Sequence, residues 1–177
     1  MTSSSKSHWD WLPETEELFS KLEAEPGWSQ MRSTKTDKQM KYLYSRVVTE
    51  NGPVIHFALF LHDKDGKLRG LCQFGEDANG LIKGAVHGGA IATMHDTTTG
   101  VLATDLGKKK MYTGYLNTTF KRPTPVRSAV LMEAVIDKVE GNKTFLKGYL
   151  KSPDEQVVYS ECTALYITAE KPSGSNM

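Results

Sequence analysis

The chain has 177 residues, 22 basic and 21 acidic side chains, a formal net charge of +1 and two cysteines. That length fits one domain with its own core, and the near-balance of charge excludes the broad positive field that nucleic-acid binding requires. No apolar stretch reaches the ~20 residues of a membrane span, and Cys72 and Cys162 lie in apolar strand-like runs, as buried, reduced thiols do.

The first seven residues are serine-rich and hold neither arginine nor an apolar run. They are not a secretory signal or a mitochondrial presequence, which fits a cytoplasmic chain or a processed mitochondrial one. Pro13 with Glu14, Glu16 and Glu17, followed by Leu18, Phe19 and Leu22 on one face, predicts a helix of about three turns. Pro26-Gly27 ends it, and residues 32–41 carry no clear pattern. Val54–Leu61 is a near-continuous apolar run, expected to be a well-buried strand. The turn Asp63-Lys64-Asp65-Gly66 joins it to a second strand, Leu68–Phe74. A glycine-rich loop, 75–84, leads to a long helix over roughly 88–106. Strands follow at 111–121, 127–139, 143–151 and 156–168, with turns at Glu140-Gly141-Asn142 and Ser152-Pro153-Asp154-Glu155. One long helix followed by a strand meander predicts an α+β fold in which an antiparallel sheet wraps the helix. Residues 1–49 are expected to form an N-terminal helical extension and linker, 50–169 the main domain, and 170–177 a mobile tail.

The long helix carries the chemistry. His87-Gly88-Gly89 leads into it, and the first amides of a helix lack intrahelical partners at the positive end of its dipole. Without a Cβ, Gly88 and Gly89 let a ligand come close to those amides. Asp96, inside an otherwise apolar and hydroxylic helix, is a candidate base. His87 and Asp96 are nine residues apart, on opposite sides of an ideal helix and ~13 Å apart along it, so they cannot pair within one helix. His87, His95 and Asp96 converge poorly at spacings i, i+8 and i+9, and no metal site is expected. His95 reads as lying on a wetter face, and Thr97, Thr98 and Thr99 as helix surface or satisfied interface groups. Lys108-Lys109-Lys110 is placed to support the helix C-terminus.

His-Gly-Gly-Ala-Ile-Ala-Thr-Met-X-Asp on the helix resembles the hotdog-fold acyl-CoA thioesterases. So do Thr113-Gly-Tyr-Leu-Asn-Thr-Thr-Phe-Lys-Arg-Pro on the next strand and Asp137-Lys-Val-Glu-Gly-Asn-Lys in the following hairpin. The likeness is greatest to thioesterase superfamily members four and five, and beyond them to phenylacetate-pathway thioesterases. It runs from about residue 50 to 168. His95 departs from it, since those relatives carry an apolar residue before the Asp.

The resemblance implies hydrolysis of fatty acyl-CoA to free acid and CoA, with no metal, serine nucleophile or cofactor, coenzyme A being part of the substrate. Asp96 matches the catalytic carboxylate, the Gly88 and Gly89 amides the oxyanion hole, and Thr113 the hydroxyl that orients water. His87 either fixes its turn or touches substrate. Thr119, Lys121, Arg122, Asn142 and Lys143 are the candidate CoA contacts, the charged ones able to hold phosphates. The resemblance also implies a homodimer, and admits a dimer of dimers, with each site shared between two chains. Two other readings share the fold: a non-catalytic acyl-CoA binding or regulatory protein, and a hotdog dehydratase.

Overall fold

A computed structural model describes residues 11–31, 47–62, 64–107 and 110–169. The polar ends, the stretch 32–41, Asp63, Lys108 and Lys109 lie outside the described residues.

Helix α1 (Pro13–Ala24) starts with proline in its first turn and Glu14 and Glu16 at its positive end, as its sequence predicts. Leu12, at the N-cap, has no side chain that can cap, and Gln73 fills the role from the sheet. Its Oε1 accepts the Leu12 N–H at 2.8 Å and the Thr15 hydroxyl at 2.9 Å. A short strand, β1 (Trp28–Gln30), follows, then a two-stranded ribbon of β2 (Val48–Thr49) and β3 (Gly52–Pro53). The hairpin of β4 (Ile55–His62) and β5 (Lys67–Phe74) precedes a 3-10 turn at Glu76–Ala78 and the long helix α2 (Gly88–Gly107). The chain closes with β6 (Met111–Phe120), β7 (Ala129–Glu140), β8 (Lys143–Lys151) and β9 (Val158–Thr168).

Seven strands form one antiparallel sheet in the order β1-β4-β5-β7-β8-β9-β6. The two-residue period sorts its side chains. Leu68, Cys72 and Phe74 of β5, Val130, Met132 and Ala134 of β7, and Ala164 and Tyr166 of β9 face α2 in the main core. Phe60, Leu71, Ala129 and Leu131 point the other way and bury Leu18 and Leu22 of α1. Residues 11–31 are thus built onto the sheet: β1 extends its edge at β4, and Glu14 accepts the Ala129 N–H at 2.8 Å.

Helix α2 mixes apolar, small and hydroxylic residues because both of its sides are in use. Ile91, Met94, His95, Thr98, Thr99 and Leu102 are buried at three- and four-residue spacing against the sheet. Gly89, Thr93, Asp96, Gly100 and Thr104 line the opposite stripe, which opens to a cavity. The reading of His95 as a wetter position is overturned. The ring is 1% exposed, and its Nε2 lies 2.8 Å from the buried Ser160 hydroxyl. Thr98 and Thr99 are likewise core residues whose hydroxyls donate to the Met94 and His95 carbonyls one turn back. No helix among the described residues is long and apolar enough to cross a membrane.

Candidate active site

The loop before α2 is clamped so that His87 has a fixed place. The His87 N–H donates to the Ala78 carbonyl at 2.7 Å, and the Val86 N–H to the Thr124 carbonyl at 2.8 Å. Gly80 packs against this corner, where an added Cβ would stand 3.1 Å from the His87 Cα. The ring then turns back over the helix start, and Nδ1 accepts the Gly89 N–H at 2.9 Å. This bond puts the neutral ring's proton on Nε2. Of the two alternatives for His87, the geometry favours the residue that fixes its own turn. It also halves the expected pair of free amides, because the Gly89 N–H is spent on the ring. The Gly88 N–H has no acceptor among the described residues. It adjoins a cavity of about 450 Å³ walled by Leu81, Ile82, Phe120, Lys121, Arg122 and Thr124.

Asp96 lies two turns further along, half-buried, at the wall of a second cavity of about 590 Å³. Met31, Val101, Met111 and Leu116 make that cavity largely apolar, and Gly89, Thr93 and Tyr166 share its wall. Two hydroxyls converge on one carboxylate oxygen. Thr113 donates to Oδ1 at 2.9 Å, and the Tyr166 phenol lies 2.9 Å from the same atom. Thr113 was legible as a candidate. Tyr166 was not selected, although the alternation Ser160, Cys162, Ala164, Tyr166 marks an inward tyrosine whose hydroxyl needs a partner.

The candidate CoA contacts fall into two groups. Thr119, Lys121 and Arg122 lie at the far end of β6, near the helix start. Both the Lys121 and Arg122 N–H groups donate to the Tyr159 carbonyl, and Lys121 pairs with Glu161 at 2.9 Å. Asn142 and Lys143 lie at the other end of the sheet. The Asn142 carbonyl accepts the Thr168 N–H at 2.9 Å, and Lys143 is opposite Ile167, which on its other side is the strand partner of Tyr112. The nine residues from Tyr112 to Lys121 span ~30 Å of strand, so one chain does not bring the groups together. The carboxylate and the free Gly88 amide divide in the same way, ~12 Å apart along α2. Among the described residues no cluster of His, Cys, Asp and Glu is arranged to hold a metal ion. His95 faces the sheet while Asp96 faces the cavity, so the two do not share a ligand sphere.

Residues 83–159 match the family model described as Thioesterase superfamily. The mouse protein named Acyl-coenzyme A thioesterase THEM4 is 39% identical over 125 residues, 70% of this chain and 53% of its own length. Mouse Acyl-coenzyme A thioesterase THEM5 is 29% identical over 134 residues, 76% of this chain and 53% of that protein. A crystal structure of a thioesterase superfamily protein superposes with a TM-score of 0.57 at 28% identity, covering 63% of this chain and 53% of its own. The chain carries a thioesterase superfamily domain, and its antiparallel sheet laid around one long helix is the hotdog fold. It spans about half the length of these curated relatives.

Proposed function

We propose that this chain hydrolyses fatty acyl-CoA to the free acid and CoA, with Asp96 as general base toward water. The observation that carries this reading is the Asp96 carboxylate, braced by Thr113 on the wall of an apolar cavity and on a helix whose first N–H is free. Asp96 takes a proton from water as the oxygen attacks the thioester carbon. Thr113 holds the carboxylate, the Gly88 N–H receives the oxyanion, and the proton then passes to the departing CoA sulfur. His87 shapes the helix start, and Gly89 contributes by having no side chain, since a Cβ there would stand 3.0 Å from the His87 ring. The acyl chain occupies the apolar cavity, and Lys121, Arg122, Asn142, Lys143 and Thr119 meet the CoA.

The parts act together in a homodimer. Strand β6 is an open sheet edge of ten residues, and it exposes Tyr112, Tyr115 and Phe120. Antiparallel pairing of two β6 edges about Leu116 and Asn117 sets the Thr113 end of one chain beside the Phe120 end of the other. Asp96 of one protomer then faces Gly88 of its partner, and the two groups of CoA contacts join. Residues 50–169 carry the proposed catalytic and CoA-contacting side chains, with Met31 adding to the cavity wall, and the buried free thiols suit the reducing cytoplasm or mitochondrial interior.

The test is release of free thiol from a graded series of saturated acyl-CoAs by the wild type and Asp96→Ala. We expect turnover by the wild type and a loss of at least 100-fold in the variant, with an unchanged circular dichroism spectrum. Undiminished turnover in Asp96→Ala overturns the mechanism. A wild type that binds CoA esters without releasing thiol identifies a binding protein instead.

A further inference from the structure

Tyr166 is 3% exposed and faces inward from β9. Three oxygens surround its hydroxyl: Asp96 Oδ1 at 2.9 Å, the Asp96 carbonyl at 2.8 Å and Thr99 Oγ1 at 3.1 Å. A phenol has one proton to donate. Thr99 already directs its own to the His95 carbonyl, 2.7 Å away. Both of these Asp96 oxygens lie within reach of that one proton, and the phenol donates to Oδ1 with the carbonyl beside it. Thr113 donates to the same atom, and Oδ2 receives no donor among the described residues.

Strand register and a missing side chain build this convergence. Thr113 and Tyr166 are direct cross-strand partners, so their side chains leave the sheet side by side on the face toward α2. The register shifts just after them, where Gly114 is the extra residue of a bulge. On the helix, Gly100 lies one turn beyond Asp96. A Cβ there would stand 3.0 Å from the Tyr166 hydroxyl and 3.2 Å from its ring. Glycine weakens a helix interior relative to alanine, and here its bare backbone is what lets the phenol lie against the Asp96 carbonyl. Burial pushes the Tyr166 hydroxyl far above the usual tyrosine range, so it remains a donor throughout the assay range.

We propose that Tyr166 is a positioning residue for Asp96: together with Thr113 it holds Oδ1 and leaves Oδ2 aimed at the reacting water, and Gly100 is the opening that admits it. The proposal rests on Asp96 acting as the base. It assigns the two carboxylate oxygens different tasks, one tied to the sheet and one free for proton transfer. Positioning of this kind acts on turnover rather than on substrate capture: Tyr166 and Gly100 share the wall of the acyl cavity, but Tyr166→Phe leaves the ring on that wall and removes only the hydroxyl tied to Asp96 and Thr99.

The experiment compares wild type, Tyr166→Phe, Gly100→Ala and Asp96→Ala, with lauroyl-CoA and a thiol reagent at saturating and sub-saturating substrate. Tyr166→Phe keeps the ring and removes only the donor. We expect its kcat to fall about 10-fold, equivalent to ~1.4 kcal/mol, with KM within two-fold of wild type. Gly100→Ala retains the tyrosine but presses a Cβ against its hydroxyl, so its kcat should fall several-fold, whichever of helix propensity and crowding sets its melting temperature. A Tyr166→Phe enzyme with wild-type kcat overturns this proposal while Asp96→Ala is dead, and so does one whose loss lies wholly in KM. Should Tyr166→Phe fail to fold, full activity in Gly100→Ala overturns it instead. Wild-type turnover in Asp96→Ala removes the base reading beneath it.

Discussion

Replacing His95 with Gln removes an imidazole that the fold holds neutral. Burial lowers this histidine to about 4 from its ordinary 6.5, so in the native state it resists protonation that the unfolded chain accepts freely. The native value lies below the unfolded one, so the unfolded state binds more protons between them and stability rises with pH across that window. The contribution is complete above pH 6.5 and drains away as the pH falls toward 4. From pH 7.5 to 5.0 the chain crosses about 1.5 units of the window at ~1.4 kcal/mol each, a loss of roughly 2 kcal/mol from this one ring. Gln retains a polar atom near the place of Nε2 for the Ser160 hydroxyl, and it does not titrate. Urea unfolding followed by circular dichroism at both pH values, on wild type and His95→Gln, isolates the term as a double difference. We expect the wild type to lose about 2 kcal/mol more than the variant over that interval. Equal losses would show that His95 takes a proton in the native state and that its bond to Ser160 is not what the burial implies.

Two further outcomes follow from the geometry. Tyr112→Glu combined with Tyr115→Glu places two charges on the open β6 edge; light scattering should show monomers, and thiol release should vanish with the partner. A double variant that stays dimeric, or an active monomer, rejects the shared site. Gly148→Ala puts a Cβ 2.8 Å from the Cys162 sulfur and 3.2 Å from the His95 ring, deep in the core. Overpacking of this kind costs roughly 1–3 kcal/mol, so a clear fall in melting temperature is expected; an unchanged one means that Cys162 moves aside freely.

The sequence announces many of the strands because one face lies toward α2, and the resulting alternation of burial runs through Thr144-Phe145-Leu146-Lys147-Gly148-Tyr149-Leu150, whereas β5, covered on both faces, reads as a nearly continuous buried run. Helix α2 is equally plain in extent, from its His-Gly-Gly start to its last apolar residues. Its two faces are harder to separate, since threonine, glycine and alanine occur on both. For that reason His95 looked exposed, while it is one of the most buried side chains. Strand β1 escapes notice because three residues carry no period, and only pairing with β4 makes them a strand. Asp96 was legible from residue type and setting, and Thr113 only through the family resemblance. The engagement of the Gly89 amide was not, because it depends on which way the His87 ring turns. Tyr166 and Gly100 acquire meaning only through the register that lays β9 across the helix.

The cap of α1 makes the helix depend on the sheet. A 12-residue helix with a leucine at its N-cap has little to hold it together alone. Its missing acceptor is supplied by Gln73, which stands in the right place only after β5 is seated between β4 and β7. The support at the N-terminus of helix α1 therefore exists only where the sheet does, so a loss of β5 pairing also removes the partner of Leu12 and Thr15, a residue 61 positions beyond Leu12 along the chain.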